Sequence, residues 1–305
     1  MAYAGRVKDG MTYFIGWKRC ATSPAENERR RMNSWKYAEK TKLLNPIDDI
    51  FFQKMAENRE FCEEILRVIV GNPGLCVEHV DVQKNVKNLQ GRSVILDAFC
   101  KDSKGTHIDI EVQKANDDDH LRRVRYNSAC LTVNITDTGE KFEKVPDVCV
   151  VLISKKDIFK RKRVVYHVDS TIRETGEKVD DGLKRIFVNT EVKDESRISR
   201  LMTLFTDDDA YDDEQFPKTS ERKRWFKKNP KGEEEMCDIV REIAEAERAE
   251  GIKEGIKEGI KEGKQAFVST LKELGVTYSD TLCKLREKFQ LDEQTAEESM
   301  KLYWK

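Results

Sequence analysis

Residues Thr106–Lys114 read THIDIEVQK, an alternation that sets Ile108, Ile110 and Val112 on one side of a strand and Asp109, Glu111 and Gln113 on the other. The preceding Ser93–Lys101, SVILDAFCK, has the composition of a second strand. Between them Asp102-Ser103-Lys104-Gly105 has the residue types of a type I turn closing on a left-handed glycine. Such a turn builds a three-residue hairpin loop with a bulge at Gly105, pairs Asp102 with Thr106, and so fixes the register. Leu96 then pairs with Val112, Ala98 with Ile110 and Cys100 with Ile108 on an apolar face, while Asp97 falls opposite Glu111 on the polar one.

Side chains so opposed have Cβ atoms about 4.5–5.5 Å apart, and like charges at that spacing repel. Two carboxylates backed by a carbonyl or waters suit a hard divalent cation, Mg²⁺ or Mn²⁺. A solvated face accounts for the acids equally well, but Ile95 and Phe99 share it and want cover, which makes it a partly enclosed cleft. Gln113 stands about 7 Å along the strand from Glu111, placed to donate its amide to a phosphate oxygen or to orient a water.

A chain of 305 residues has room for one main domain with extensions. No apolar run reaches the roughly 18 residues of a spanning helix and no apolar leader opens the chain, so a cytoplasmic protein without membrane contact is expected. Eight cysteines without a CxxC pair read as buried free thiols. The net charge of -1 argues neither for nor against nucleic acid, but two local runs, Lys155–Arg163 and Lys218–Lys231, suit either phosphate contacts or a solvated charged face.

Residues 1–44 lack any period and read as a disordered N-terminal extension, with Met32 as a second candidate start. Two helices are expected between Ile47 and Ile69, breaking near Asn58. Strands follow at Ser93–Lys101, Thr106–Lys114, Asp147–Ser154, Arg163–Ser170 and Lys184–Asn189, with a helix over Asp119–Asn134. That order indicates a mixed α/β layer fold over 45–231. The stretch 232–264 repeats Gly every four residues at 251, 255, 259 and 263 and reads as a marginal charged helix, a spacer or a weak self-association arm. Residues 265–305 read as a small helical tail with Gly275, Ser279 and Asp292 as caps.

Four ordered segments resemble one known family. They are Asn45-Pro46-Ile47-Asp48-Asp49-Ile50-Phe51-Phe52; Asp97 with Ile108–Gln113; Arg122-Arg123-Val124-Arg125-Tyr126; and Gly139–Phe142 before Pro146. Spread over 42–205, about half the chain, they look like the Rpn recombination-promoting nucleases, also described as PD-(D/E)XK nuclease family transposases. The resemblance implies a restriction-endonuclease-like core, a mixed central sheet flanked by helices with a charged helical C-terminal tail. It also implies a Mg²⁺- or Mn²⁺-dependent endonuclease acting on DNA in recombination.

Carried over by position, Asp97 and Glu111 would hold the metal with the Val112 carbonyl as a third ligand, and Gln113 would stand where the superfamily has Lys. A neutral amide cannot supply the lysine's charge; Gln is nonetheless usual in the Rpn-like branch. Asp48 or Asp49 would add a carboxylate or cap the first helix, and Arg122, Arg125 and Tyr126 would touch phosphate or simply be exposed helix residues. No histidine or lysine near the motif stands out as a general base, and strand transfer follows from no residue. Two other readings stand beside the endonuclease. One is a catalytically inactive nucleic-acid-binding module of the same fold; the other is a scaffold that self-associates as a homo-oligomer through the tail.

Overall fold

The computed structural model describes residues 37–88, 92–114 and 119–304. Of the expected extension, residues 37–42 are helical, and Lys227 Nζ donates to the Lys42 carbonyl at 2.7 Å. Residues 1–36, with Met1 and Met32, lie outside the described residues, as does Cys20. Two helices open the core as the periodicity requires. Helix α1 (Asp49–Ala56) buries Phe51, Phe52 and Met55; α2 (Arg59–Ile69) buries Phe61, Cys62, Ile65, Leu66 and Ile69. Asn58 separates them, its side-chain oxygen accepting the Phe61 N–H at 2.9 Å as an N-cap.

The strands are β1 (Val77–Val86), β2 (Val94–Asp102), β3 (His107–Gln113), β4 (Val148–Ser154), β5 (Val165–Val168), the short pair β6 (Ser170–Thr171) and β7 (Lys178–Val179), and β8 (Leu183–Asn189). Six form one sheet in the order β1-β2-β3-β4-β8-β5. Its first three strands are antiparallel, β3, β4 and β8 run parallel, and β5 returns antiparallel at the edge. The β2–β3 turn is the one its residues dictate: Gly105 has φ +87°, and the Asp102 carboxylate accepts the Lys104 and Thr106 N–H groups at 2.9 and 2.8 Å. Ala98 pairs with Ile110 and Cys100 with Ile108, the expected register.

One sheet face packs against α1, α2, α4 (Arg197–Thr206) and α5 (Pro217–Lys228). The other packs under α3 (His120–Ile135) through Val124, Cys130 and Leu131. Cys62, Cys100, Cys130 and Cys149 are buried free thiols, whereas Cys76 and Cys283 are exposed. No helix among the described residues is long and apolar enough to cross a membrane.

Most cations of the basic run Lys218–Lys231 have acidic partners at the surface. Lys218 pairs with Glu60 at 2.7 Å, Arg224 with Asp213 at 2.8 Å and Lys227 with Asp208 at 2.5 Å. Lys223, wholly buried, donates to the carbonyls of Asp207 and Ala210. Its position ties the acidic loop to α5.

The glycine-repeat segment belongs to one continuous helix, α6 (Pro230–Glu273), which crosses the compositional breaks expected at 232 and 265. At 44 residues it is about 66 Å long. Helices α7 (Tyr278–Phe289) and α8 (Glu293–Tyr303) fold back on its end around Val268, Leu285 and Met300. Asp292 caps α8 as expected, but the cap of α7 is Thr277 and not Ser279, because Thr277 Oγ1 accepts the Asp280 N–H at 3.1 Å.

Two glycines of α6 behave oppositely. A Cβ on Gly232 would lie 2.1 Å from the Trp225 carbonyl oxygen, so α5 and α6 approach closely only because this residue is glycine. Gly255 has nothing within 4 Å. Gly232→Ala should therefore destabilise the core by about 1–3 kcal/mol. Gly255→Ala should strengthen the helix by about 1 kcal/mol. Urea denaturation followed by circular dichroism checks both signs, and a Gly232→Ala protein as stable as wild type would refute the close approach.

Candidate active site

The β2–β3 ladder stops at Ala98–Ile110, and side chains take over from the backbone beyond it. The Val112 N–H donates to Asp97 Oδ2 at 2.9 Å, and the Asp97 N–H donates to Glu111 Oε1 at 3.4 Å. Asp97 and Glu111 thus meet, but as side chains in a split ladder and not as a regular backbone pair. On the other flank of β2, Gln83 of β1 has φ +56° at the point where Lys84–Leu96 and Val82–Ala98 bracket it and Asp97. The strand's alternation breaks there. Leu96 joins Val94 and Phe99 under α3, while Ala98 and Cys100 face α1 and α2, which corrects the expected placement of Leu96 on the Val112 face.

The acidic face is covered and not open. Asp109 is fully buried, Glu111 is 1% exposed and Asp97 7%. Burial, then the charges of Glu111 and Asp49, push the Asp97 carboxyl from its ordinary 3.8 to about 8. Burial also raises Glu111 against the pull of Arg123, and it raises Asp109 well above the carboxylate range, helped by Glu111 and Asp97. Asp109 lies beside Asn127 of α3 with neither oxygen in a well-formed hydrogen bond. It lies behind the site and does not line its opening.

That opening, about 340 Å³, is lined by Asp97, Val112 and Gln113 with Asp48, Asp49 and Arg123 among others. The helix-capping expectation for Asp48 fails. Its oxygens accept from the Asn45 N–H at 3.0 Å and from Lys114 Nζ at 2.5 Å, and none caps α1. Asp49 takes the Gln53 amide at 2.6 Å and presents its charge to Asp97 and Glu111.

Arg123 is the site residue that sequence pattern alone does not single out. Its Nη1 donates to Gln113 Oε1 at 2.9 Å, and its Nη2 lies 3.4 Å from Glu111 Oε2. Arg122 is largely exposed and pairs with Asp119 at 3.4 Å; Arg125 is exposed. The Tyr126 hydroxyl donates to the Arg92 carbonyl and accepts from Asn88 Nδ2 at 3.1 Å, so it secures the approach to β2. Arg122, Arg125 and Tyr126 line, with Arg92, a neighbouring hollow of about 690 Å³ that shares Arg123 with the opening. Helical spacing held the missing signal: Arg123 lies three residues after His120 and four before Asn127, both buried. Lys114 is a second such residue and reaches the opening through Asp48.

No group of three or more His, Cys, Asp or Glu side chains among the described residues is arranged to hold a metal by itself. Two carboxylates are nevertheless a sufficient protein share for Mg²⁺, which keeps waters or substrate oxygens for its other positions. Glu111 Oε2 is buried without a hydrogen-bond partner. An all-oxygen donor pair, one of whose oxygens accepts no hydrogen bond, fits a hard divalent cation.

Residues 51–236 match the family described as PD-(D/E)XK nuclease family transposase. No curated protein and no solved structure matches the chain.

The raised Asp97 carboxyl has a testable sign. Its neutral form favours the fold, so that contribution is complete below about pH 4 and is lost as pH rises through about 8. Asp97→Asn cannot ionise yet keeps an acceptor for the Val112 N–H. In EDTA near pH 8 its melting temperature should exceed that of wild type, the gap closing toward about pH 4. Parallel melting curves across the range would show that no charge strain resides there.

Proposed function

This chain belongs to the PD-(D/E)XK nuclease family of transposases, and from that premise we propose that it is a metal-dependent endonuclease hydrolysing phosphodiester bonds in DNA. The observation that carries the reading is the interlocked, buried Asp97–Glu111 pair, whose Glu111 Oε2 accepts no hydrogen bond and has only the Arg123 guanidinium nearby. In this reading Asp97 and Glu111 hold Mg²⁺ or Mn²⁺, with the Val112 carbonyl as a third ligand. When bound, such a cation polarises phosphate oxygens and lowers the pKa of a water.

The chain's own groups do the rest. A guanidinium only donates, so Arg123 fixes Gln113 with Oε1 toward itself and leaves the amide NH₂ to donate to a phosphate oxygen or a water. The same guanidinium supplies fixed positive charge in the site where Gln113 lacks it. Asp49 is the accessory carboxylate, and Asp48 holds Lys114 at the mouth. Arg92, Arg122 and Arg125, with Tyr126, bind backbone phosphates in the adjoining hollow. A recombination role and self-association through α6, where Ile252, Ile256 and Ile260 are exposed, belong to the same reading.

With Mg²⁺ or Mn²⁺ the protein should nick or linearise supercoiled plasmid, and Asp97→Asn or Glu111→Gln should slow this by about 10²-fold or more. Arg123→Met should also slow cleavage, yet bind Mn²⁺ more tightly in a calorimetric titration, because a cation 3.4 Å from Glu111 is removed. Cleavage that survives both carboxylate changes overturns the assignment. DNA binding without cleavage under either cation would select the inactive module.

A further inference from the structure

The loop leaving β4 starts beside the candidate site. Gln113 and Ser154 are register partners, and the Lys155 N–H donates to the Gln113 carbonyl at 3.0 Å. Over Lys155–Arg163 this loop carries six basic residues and one acid, Asp157. The acid is buried and turned to the backbone. Its Oδ1 accepts the Lys160 N–H at 3.0 Å and the Tyr166 hydroxyl at 2.8 Å, and its Oδ2 accepts the Lys162 N–H at 2.8 Å. The Tyr166 oxygen in turn accepts the N–H groups of Arg161 and Arg163 at 3.2 and 3.0 Å. Four successive N–H groups are thereby gathered inward, and the side chains of Lys160, Arg161, Lys162 and Arg163 are all left exposed.

Two features separate this loop from an ordinary charged surface. Lys160 and Lys162 have φ of +55° and +56°, a left-handed conformation that lysine adopts only when its surroundings impose it. Among the described residues, Lys156 alone of the six bases forms an ion pair, with Glu191 at 3.0 Å. In the run Lys218–Lys231, by contrast, most cations are paired with acids. Phe159, edge-on to Phe187 at 5.2 Å, pins the loop's base.

β2 and β4 flank β3 on opposite sides. The Arg92–Arg125 hollow adjoins the start of β2, and the loop leaves the end of β4, so cationic surfaces lie on both sides of the strand end that carries Glu111. We propose that Lys155–Arg163 is a preorganised clamp for the phosphate backbone of duplex DNA running past the Asp97–Glu111 pair. The proposal rests on the nuclease reading for the identity of its partner. Duplex DNA, one charge per roughly 1.7 Å of axis, is the polyanion that two flanking cationic surfaces fit.

The test is metal-free binding of a labelled duplex to the full chain, measured by anisotropy over a salt series. Each basic side chain withdrawn from a phosphate should make the slope of log K against log salt shallower by about 0.9. Lys160→Gly/Lys162→Gly should reduce the slope by about 2 while melting no lower than wild type, since glycine adopts positive φ freely. Arg161→Gln/Arg163→Gln, which leaves the left-handed positions untouched, should do the same, whereas Lys284→Gln/Lys288→Gln on the exposed face of α7 should keep the wild-type slope. An unchanged slope in both double variants, absence of duplex binding by wild type, equal slope changes on single-stranded DNA alone, or tighter binding to phosphatidylserine vesicles would each overturn the clamp. Loss of cleavage without loss of these slopes would instead count against the nuclease reading alone.

Discussion

Each of two buried carboxylates, one on β2 and one on β3, is held by a backbone N–H of the other strand. Asp97 takes the N–H of Val112, and Glu111 takes the N–H of Asp97. The exchange replaces rungs that a regular antiparallel ladder would have formed, so the carboxylates are fixed by groups that could not otherwise be left unsatisfied in the interior. Backbone satisfaction and mutual repulsion then act together. The strands cannot close without displacing the acids, and the acids cannot both ionise without a counter-charge. A cation at Glu111 Oε2 is the response this arrangement invites, and Arg123 is the fixed positive group the fold already provides.

The rest of the architecture can be ordered by how it serves that split ladder. The parallel β3–β4 pairing carries Gln113 to the same edge as Ser154, and hence to the loop that begins at Lys155. Helix α3 closes the acidic face, buries Asp109 beside Asn127, and brings Arg123 down from its first turn. The two basic runs look alike in sequence and have opposite environments. Acidic partners and the buried Lys223 fasten one into α5, whereas the other has its lone acid turned to the backbone and its bases outward.

Much of this was legible where the decisive chemistry is local. Asp102 and Gly105 specify their turn regardless of the remainder of the chain, and the turn fixes the register that brings Asp97 toward Glu111. What depended on distant partners was not. β1 keeps no steady face because its pairing shifts between Val77 and His79 and Gln83 is left-handed, so Val80 and Val82 pack on one side of the sheet and Val86 on the other. Leu96 departs from its expected face because Asp97 satisfies β3 with its side chain. Arg122 and Arg123 are indistinguishable as residue types, and only the burial of His120 and Asn127 decides which one points inward. Residues 218–231 left phosphate contacts and a solvated charged face both open, because the acids that pair with their cations lie elsewhere in the chain, Glu60 among them.

The arrangement of Gln113 bears on how a site without the expected lysine keeps its charge balance. A lysine on β3 would place a mobile ammonium beside Glu111, its proton affinity open to the pull of three nearby acids. Here charge and hydrogen bonding are divided between two residues. Arg123 brings a guanidinium anchored on a helix, and Gln113 contributes a neutral donor whose orientation Arg123 sets. Such a division keeps the β3 side chain beside Glu111 neutral, and burial with the neighbouring acids raises the Asp97 carboxyl to about 8 in the absence of a cation. Cation binding and deprotonation of the pair are then the same event, so occupancy of the site should fall as protons compete for it on the acid side.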